Sequence, residues 1–344
     1  MRDAIWRPRA SLSDSVPLIV LLLLELLPLA LELLVLPHAL PLALLLAREI
    51  TRVAAAAVSV PLVTIRHTTT YRYARPVTFG DHRLMFRPRD SHDMRLLQTG
   101  LEISPSAQVR WLHDVFGNSS AVATFVEPAS ELRLVSTIRL EHFPVLALEF
   151  PIEAYARMYP FSYSAEEMPD LGRTIERHYP DPEHRVDEWA RGFMTSAGET
   201  DTQALLVEMT AAIRRDFRYE ARAAEGTQTP VETLTRVAGT CRDFALLMME
   251  AARSLGFAAR FVSGYLYDDR AVGGGATHAW VQIYLPGGGW VEFDPTNALV
   301  GGQKLVRVAV ARDPTQAIPV SGTWTGTPSD FLGMTVDVEA IPDG

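Results

Sequence analysis

The chain holds one cysteine, Cys241; the only histidine after it is His278, and sixteen positions further on stands Asp294. A thiol, an imidazole and a carboxylate are the parts of a nucleophile, a general base and a group that orients the base. The residues around Cys241 predict a helix start. Thr240 is a suitable N-cap, and Asp243, three residues later, can reach back to it as a capping box. Apolar residues recur at Phe244, Leu247, Met248, Ala251 and Leu255, the spacing of a helix with one buried face, and Gly256 is a natural stop. Cys241 therefore falls in the first turn, where unpaired N–H groups and the positive end of the helix dipole stabilise a thiolate. Taken alone, a free cysteine is more often a small buried hydrophobe.

The next fifty residues shift that balance. Phe257–Leu266 reads as a buried strand, and Asp268–Ala276, with Gly273, Gly274 and Gly275, reads as a mobile loop. Thr277–Leu285 alternates: His278, Trp280, Gln282 and Tyr284 share one face, and Ala279, Val281, Ile283 and Leu285 the other. Pro286–Gly289 then turns into Trp290–Pro295, which makes a hairpin. Residues paired across a hairpin have position numbers of constant sum and lie on one face. A four-residue loop pairs Leu285 with Trp290 and sends Asp294 to the face opposite His278. A three-residue loop pairs Leu285 with Gly289, places Asp294 opposite Trp280, and leaves it diagonal to His278 at about 7–8 Å. A carboxylate there can hold one imidazole nitrogen while the other faces Cys241. The three-residue form, or a bulge restoring its parity, is the expectation.

Gly239–Ala245 (GTCRDFA), Leu255–Tyr265 (LGFAARFVSGY), His278-Ala279-Trp280 and Phe293–Asn297 (FDPTN) together resemble the core of bacterial transglutaminase-like proteins, in the right order. Phe217-Arg218-Tyr219 and Thr229–Leu234 resemble the approach to that family's nucleophile. Thr64–Asp90 resembles the β-rich N-terminal region of the same bacterial group, and Val306–Asp313 its closing segment. The resemblance runs over most of the chain from Val63. It implies a papain-like mechanism with Cys241 as nucleophile, His278 as base and then acid, and Asp294 orienting His278, acting on a carboxamide or peptide carbonyl through a thioester. The backbone N–H of Cys241 is the expected oxyanion donor. Arg242 follows the nucleophile where the vertebrate cross-linking enzymes carry Trp, and no acidic cluster resembles their calcium sites. Hydrolysis of a peptide or amide bond is therefore at least as well supported as cross-linking.

Other residues have plainer readings. Trp280 is either a wall of the acyl tunnel or hairpin core. Asp243 is read as a helix cap and Arg242 as a solvated first-turn residue. The histidines at 38, 67, 82, 92, 113, 142, 178 and 184 have no metal-ligand spacing and are read as structural or surface groups. No metal site and no cofactor is expected. A formal net charge of −9 argues against nucleic-acid binding, and the arginines of Arg83–Arg95 are interrupted by Asp and apolar residues. With one cysteine the chain has no internal disulfide, which fits a cytoplasmic location.

The expected fold class is α+β: a papain-like transglutaminase core, its nucleophile helix packed on an antiparallel sheet, preceded by a β-rich N-terminal domain. Residues 63–150 alternate like antiparallel strands, with a turn at Gly117-Asn118. Residues 151–181, with prolines at 151, 160, 169 and 180, read as a linker. The core is expected over 182–300, with helices at about 182–195 and 202–217 and a capping box at Thr229–Glu232, and 301–344 as a C-terminal strand extension. Residues 1–62 are anomalous. Val16–Leu34 holds fourteen Leu, Ile or Val residues, worth roughly −7 kcal/mol in a membrane against roughly +6 for Glu25 and Glu32. The prolines bring the balance near zero. Because the family-like sequence starts abruptly at Val63, an over-long gene start is the favoured reading of this leader, ahead of a membrane anchor or signal segment. A real, inserted leader would tether the protein to a membrane.

Two functional readings follow. One is a cysteine-dependent acyl-transfer enzyme acting on a protein or peptide, as protease, deamidase or cross-linker. The other is a non-catalytic protein-binding module on the same fold. Retention of all three polar residues favours the enzyme.

Overall fold

The computed structural model describes residues 61–143, 150–195, 198–222, 226–268 and 277–343. The leucine-rich leader and the glycine-rich loop at 269–276 lie outside the described residues. No helix among the described residues is long and apolar enough to cross a membrane.

Alternating sequence becomes two antiparallel sheets in the first part of the chain. Strands β1 (Leu62–Phe79), β3 (Met94–Ser104) and β6 (Ala129–His142) form one sheet. Strands β2 (His82–Leu84), β4 (Ala107–His113) and β5 (Ser119–Phe125) form the other. Along β1 the buried side chains fall at Val63, Ile65, His67 and Thr69, the period of two that one covered face demands. Tyr73, Phe79, Leu84, Phe86, Phe125 and Leu132 fill the space between the sheets.

Residues 151–181, expected as a linker, are instead packed structure. They carry β7 (Met158–Tyr159) and helix α1 (Met168–Ile175), and β7 pairs with β8 (Thr200–Asp201). Aromatic residues anchor the segment. Tyr159 stacks on Phe257 at 5.4 Å and donates to the Leu255 carbonyl, while Tyr163 accepts from Ala258 N and donates to the Tyr284 carbonyl. Prolines deny a segment ladder hydrogen bonds but not side-chain packing. Helix α2 (Arg185–Arg191) is shorter than the span 182–195, because the Asp181 carboxylate accepts from Arg185 N and Val186 N and so sets the start.

Helices α3 (Thr202–Asp216) and α4 (Pro230–Arg236) follow, with the Thr229–Glu232 capping box in place. Strands β9 (Arg218–Tyr219) and β10 (Ala238–Gly239) pair in parallel and lead into α5 (Cys241–Ser254). The core sheet is antiparallel, in the order β14 (Leu299–Val300), β13 (Gly289–Asp294), β12 (Thr277–Leu285), β11 (Ala259–Leu266), β15 (Leu305–Ala311). One face, through Ala279, Val281, Ile283 and Leu285, packs on Phe244, Leu247 and Met248 of α5.

The expected C-terminal extension divides between two sheets. β15 belongs to the core sheet beside β11. Short strands β16 (Val320–Ser321) and β17 (Trp324–Thr325) join β2 and β1. The last strand, β18 (Phe331–Asp343), returns to pair with β1 from Leu62 to Tyr73. Val63, Ile65 and Ile138 of the first sheet share a core with Tyr265, Val306 and Val308 of the core sheet.

A buried ion pair ties α5 to its surroundings. Arg253 donates to Glu250 at 2.8 Å, both side chains fully buried, and also to the carbonyls of Thr174, Ala259 and Arg312. Replacing Arg253 with alanine is expected to cost about 3 kcal/mol, because Glu250 loses its 2.8 Å partner and keeps only Arg177 at 3.8 Å and the N–H groups of His178 and Tyr179, while three carbonyls lose their donor. Urea unfolding measures this; a loss under about 1 kcal/mol would show the pair to be dispensable.

Candidate active site

The site is built on the first turn of α5. Cys241 is its first residue and is buried, with 8% of its surface exposed. Asp243 secures the turn as expected of a cap: its Oδ2 accepts from Thr240 N and Thr240 Oγ1 at 2.8 and 2.9 Å. The carboxylate also does something the sequence did not announce. Its Oδ1 accepts from Arg222 Nη2 at 3.0 Å and from Gln228 N at 2.6 Å, so the segment leading to Cys241 is pinned to the helix that carries it. Gly239 permits this closeness, since a Cβ there would lie 2.8 Å from the Asp243 Cβ.

Tyr219 lies near Cys241. Its strand pairs Tyr219 with Gly239, its ring lies 6.5 Å from that of Phe244, and burial, then the charge of Cys241, push its phenol above the ordinary value.

The hairpin takes the three-residue loop. Leu285 pairs with Gly289, Gln282 with Glu292 and Val281 with Phe293. Gly287 and Gly289 take φ of +85° and +69°, a left-handed geometry glycine adopts without steric cost. The same register continued puts Asp294 opposite Trp280 and diagonal to His278, and the two side chains meet: His278 Nε2 lies 2.9 Å from Asp294 Oδ2. Both are fully buried.

Neighbours set the charges. Burial alone would lower the His278 pKa, but the Asp294 charge and hydrogen bond, reinforced by Cys241, raise it to about 10. Burial would raise Asp294, yet His278, Asn297 and Thr296 hold it below the usual carboxylate range. Asp294 Oδ1 accepts from Thr296 N, and Oδ2 from Asn297 Nδ2, each at 2.9 Å. With Nε2 committed to Asp294, His278 Nδ1 is buried without a hydrogen-bond partner and is the ring atom left to serve Cys241, which adds to the raising of the ring's pKa. Imidazole and carboxylate are thus joined by a hydrogen bond, and Cys241 is near enough to act on the ring's pKa.

Trp280 is fully buried and lies beside the His278 ring, with centroids 6.1 Å apart and planes 26° from parallel. It is core that supports the site. The remaining described histidines are elsewhere: His67 bonds Tyr265 and Thr69, and His142 bonds Tyr267, both pushed down to about 4 by burial. Among the described residues no cluster of three or more His, Cys, Asp or Glu is arranged to hold a metal. The sequence assigns no role to Arg222 or Gln228, and shows Thr296 and Asn297 only as part of the FDPTN block. For the last pair a signal existed, two polar residues directly after Asp294-Pro295. For the first pair there was none, because their contact to Asp243 spans up to 21 residues.

Comparison with known proteins agrees with this geometry. Residues 63–141 match the bacterial transglutaminase-like N-terminal region, and residues 188–295, which contain Cys241, His278 and Asp294, match the transglutaminase-like superfamily. An uncharacterised protein of Mycobacterium leprae is 37% identical over 281 residues, covering 80% of this chain and 97% of that protein. One of Mycobacterium tuberculosis is 28% identical over 291 residues, covering 80% and 91%. Among solved structures, a "Putative Cysteine Protease" from Cytophaga hutchinsonii has the same fold, with a TM-score of 0.61, 19% identity, and 83% of this chain and 92% of that one covered. With its β-rich N-terminal region, its antiparallel core sheet and a relative matched almost end to end, the chain belongs to the transglutaminase-like superfamily.

Proposed function

We propose that this protein is a cysteine-dependent acyl-transfer enzyme that acts on a carboxamide or peptide carbonyl of a protein or peptide through a thioester on Cys241. The observation that carries the reading is the His278 ring, with one nitrogen held by Asp294 and the other left for a thiol at a helix N-terminus. In that arrangement His278 is placed to take the thiol proton, and its raised pKa and the first helical turn both favour that transfer.

The steps follow from proton position. The Cys241 thiolate attacks the carbonyl carbon, a C–S bond forms, and the carbonyl electron pair moves to oxygen. The N–H of the first helical residue, which has no intrahelical acceptor, is available to that oxyanion. His278 gives its Nδ1 proton to the departing nitrogen, the C–N bond breaks, and an amine or ammonia leaves. Water or a second amine then loses a proton to His278 and attacks the thioester, the C–S bond breaks, and the thiolate returns.

Incubation with a glutamine-containing peptide and a labelled primary amine separates the outcomes. Amine incorporation identifies transfer, ammonia without incorporation identifies deamidation, and new peptide termini identify proteolysis. A wild-type protein that yields none of these products above a Cys241→Ala control would favour the binding-module reading.

A further inference from the structure

The face of the core sheet that carries His278 is unusually polar for a buried surface. Trp280, Gln282 and Glu292 are all under 7% exposed and share that face with His278. Their polar groups converge on one carboxylate. Glu292 Oε2 accepts from Trp280 Nε1 at 2.5 Å, and Oε1 accepts from Gln282 Nε2 at 2.6 Å and from Arg307 Nη1 at 2.7 Å. Arg307, on β15, lies in register with Gly264, which in turn faces His278, so the guanidinium and the imidazole stand in one row across three strands. Between them Gly264 has no side chain, and a Cβ there would come within 2.7 Å of the Trp280 ring and 2.1 Å of the Val306 carbonyl. The ring is thereby seated, with its face beside the imidazole. Arg307 also pairs with Asp93 of the N-terminal β-rich region at 3.3 Å, and Phe116 of the same region packs on the cluster containing Trp280.

A buried carboxylate with three donors is costly to assemble and over-determines whatever it touches. The helix-facing side of the same sheet is filled by apolar residues, among them Val281, Ile283, Leu285 and Phe293, which shows that burial by itself asks for no such network. We propose that Glu292 is a positioning residue for the chemistry of Cys241: it fixes the Trp280 ring, the ring fixes the orientation of His278, and Arg307 with Asp93 holds Glu292 from the N-terminal region. This rests on the reading of Cys241 and His278 as nucleophile and base. It assigns the N-terminal region a part in the reaction beyond stability.

The test is the rate of Cys241 alkylation by iodoacetamide against pH, in the full chain, for wild type, Glu292→Gln, Trp280→Phe and the double variant, with thermal unfolding recorded for each. Glutamine keeps the shape of Glu292 but presents an amide N–H to a donor and leaves Arg307 with one partner fewer. Phenylalanine keeps an aromatic ring but removes the indole donor. The expected result is an alkylation rate at pH 7 lowered about tenfold in each single variant, a displaced pH profile, and a double variant no slower than the slower single one. A merely structural role would lower the melting temperature and leave the profile of the folded protein in place. If Glu292→Gln does not fold, Trp280→Phe carries the test. Folded variants whose profiles superimpose on the wild type overturn the proposal while the Cys–His reading stands. A wild-type thiol with the reactivity of an unassisted cysteine overturns both.

Discussion

At pH 6, alkylation of Cys241 by iodoacetamide is expected to be about 100-fold slower in His278→Ala than in the wild type. The His278 ring, which Cys241 helps to raise, has a pKa of about 10, so over the neutral range it is the charged partner that would favour a thiolate. Removing it leaves only the helix N-terminus, worth a fraction of the pairing energy. The wild-type rate should change little between pH 6 and 8, whereas that of the variant should climb steeply toward the range of an ordinary thiol, near 8.5. Turnover of any substrate should fall further, by about 10⁴-fold, in both His278→Ala and Cys241→Ser, since members of such a unit fail together. Equal alkylation rates in wild type and His278→Ala at pH 6 would dissolve the pair.

Asp294→Ala is expected to reduce turnover by about 10³-fold and also to change the pH dependence of stability. Two effects combine in the activity loss: the His278 ring loses the group that orients it, and the imidazolium loses the charge that offsets its burial. The stability effect has a definite sign. His278 is raised in the folded protein, so its favourable contribution is complete below its ordinary value of 6.5 and is lost as pH rises through about 10. Asp294 is lowered, so its contribution is present above its ordinary value of 3.8 and is lost as the solution is acidified below it. The wild type should thus lose stability from pH 7 to 10 through this pair. In Asp294→Ala the buried imidazole loses its larger counter-charge and keeps only the smaller contribution of Cys241, so that decline should become shallower. Urea midpoints across the range measure it, and parallel declines would mean that His278 does not draw its charge from Asp294.

His67 and His142 contribute with the opposite sign. Both are buried neutral and lowered to about 4, so each destabilises the fold as pH falls from 6.5 toward 4, when the unfolded chain takes up protons that the folded one refuses.

Features governed by near neighbours were written in the sequence. The start of α5 at Cys241 follows from Thr240 and Asp243, its end from Gly256, and the facing of His278 and Asp294 from a three-residue turn whose parity allows one register and forbids the other. Those local rules, together with four family-like blocks, are enough to single out Cys241, His278 and Asp294 as candidates. Tertiary structure decided what lies far along the chain. Arg222 reaching Asp243, Asp93 meeting Arg307 across 214 residues, and β18 closing on β1 each join residues whose local patterns are indifferent to the partner. The segment 151–181 shows the same limit, since its prolines suggest a connector while Tyr159 and Tyr163 find their places only against Phe257 and Tyr284. A hydrophobic period or a capping residue fixes an element within a few positions. Which buried charge meets which is settled only when the chain pays the entropy of closing long loops, and no short window of sequence records that choice.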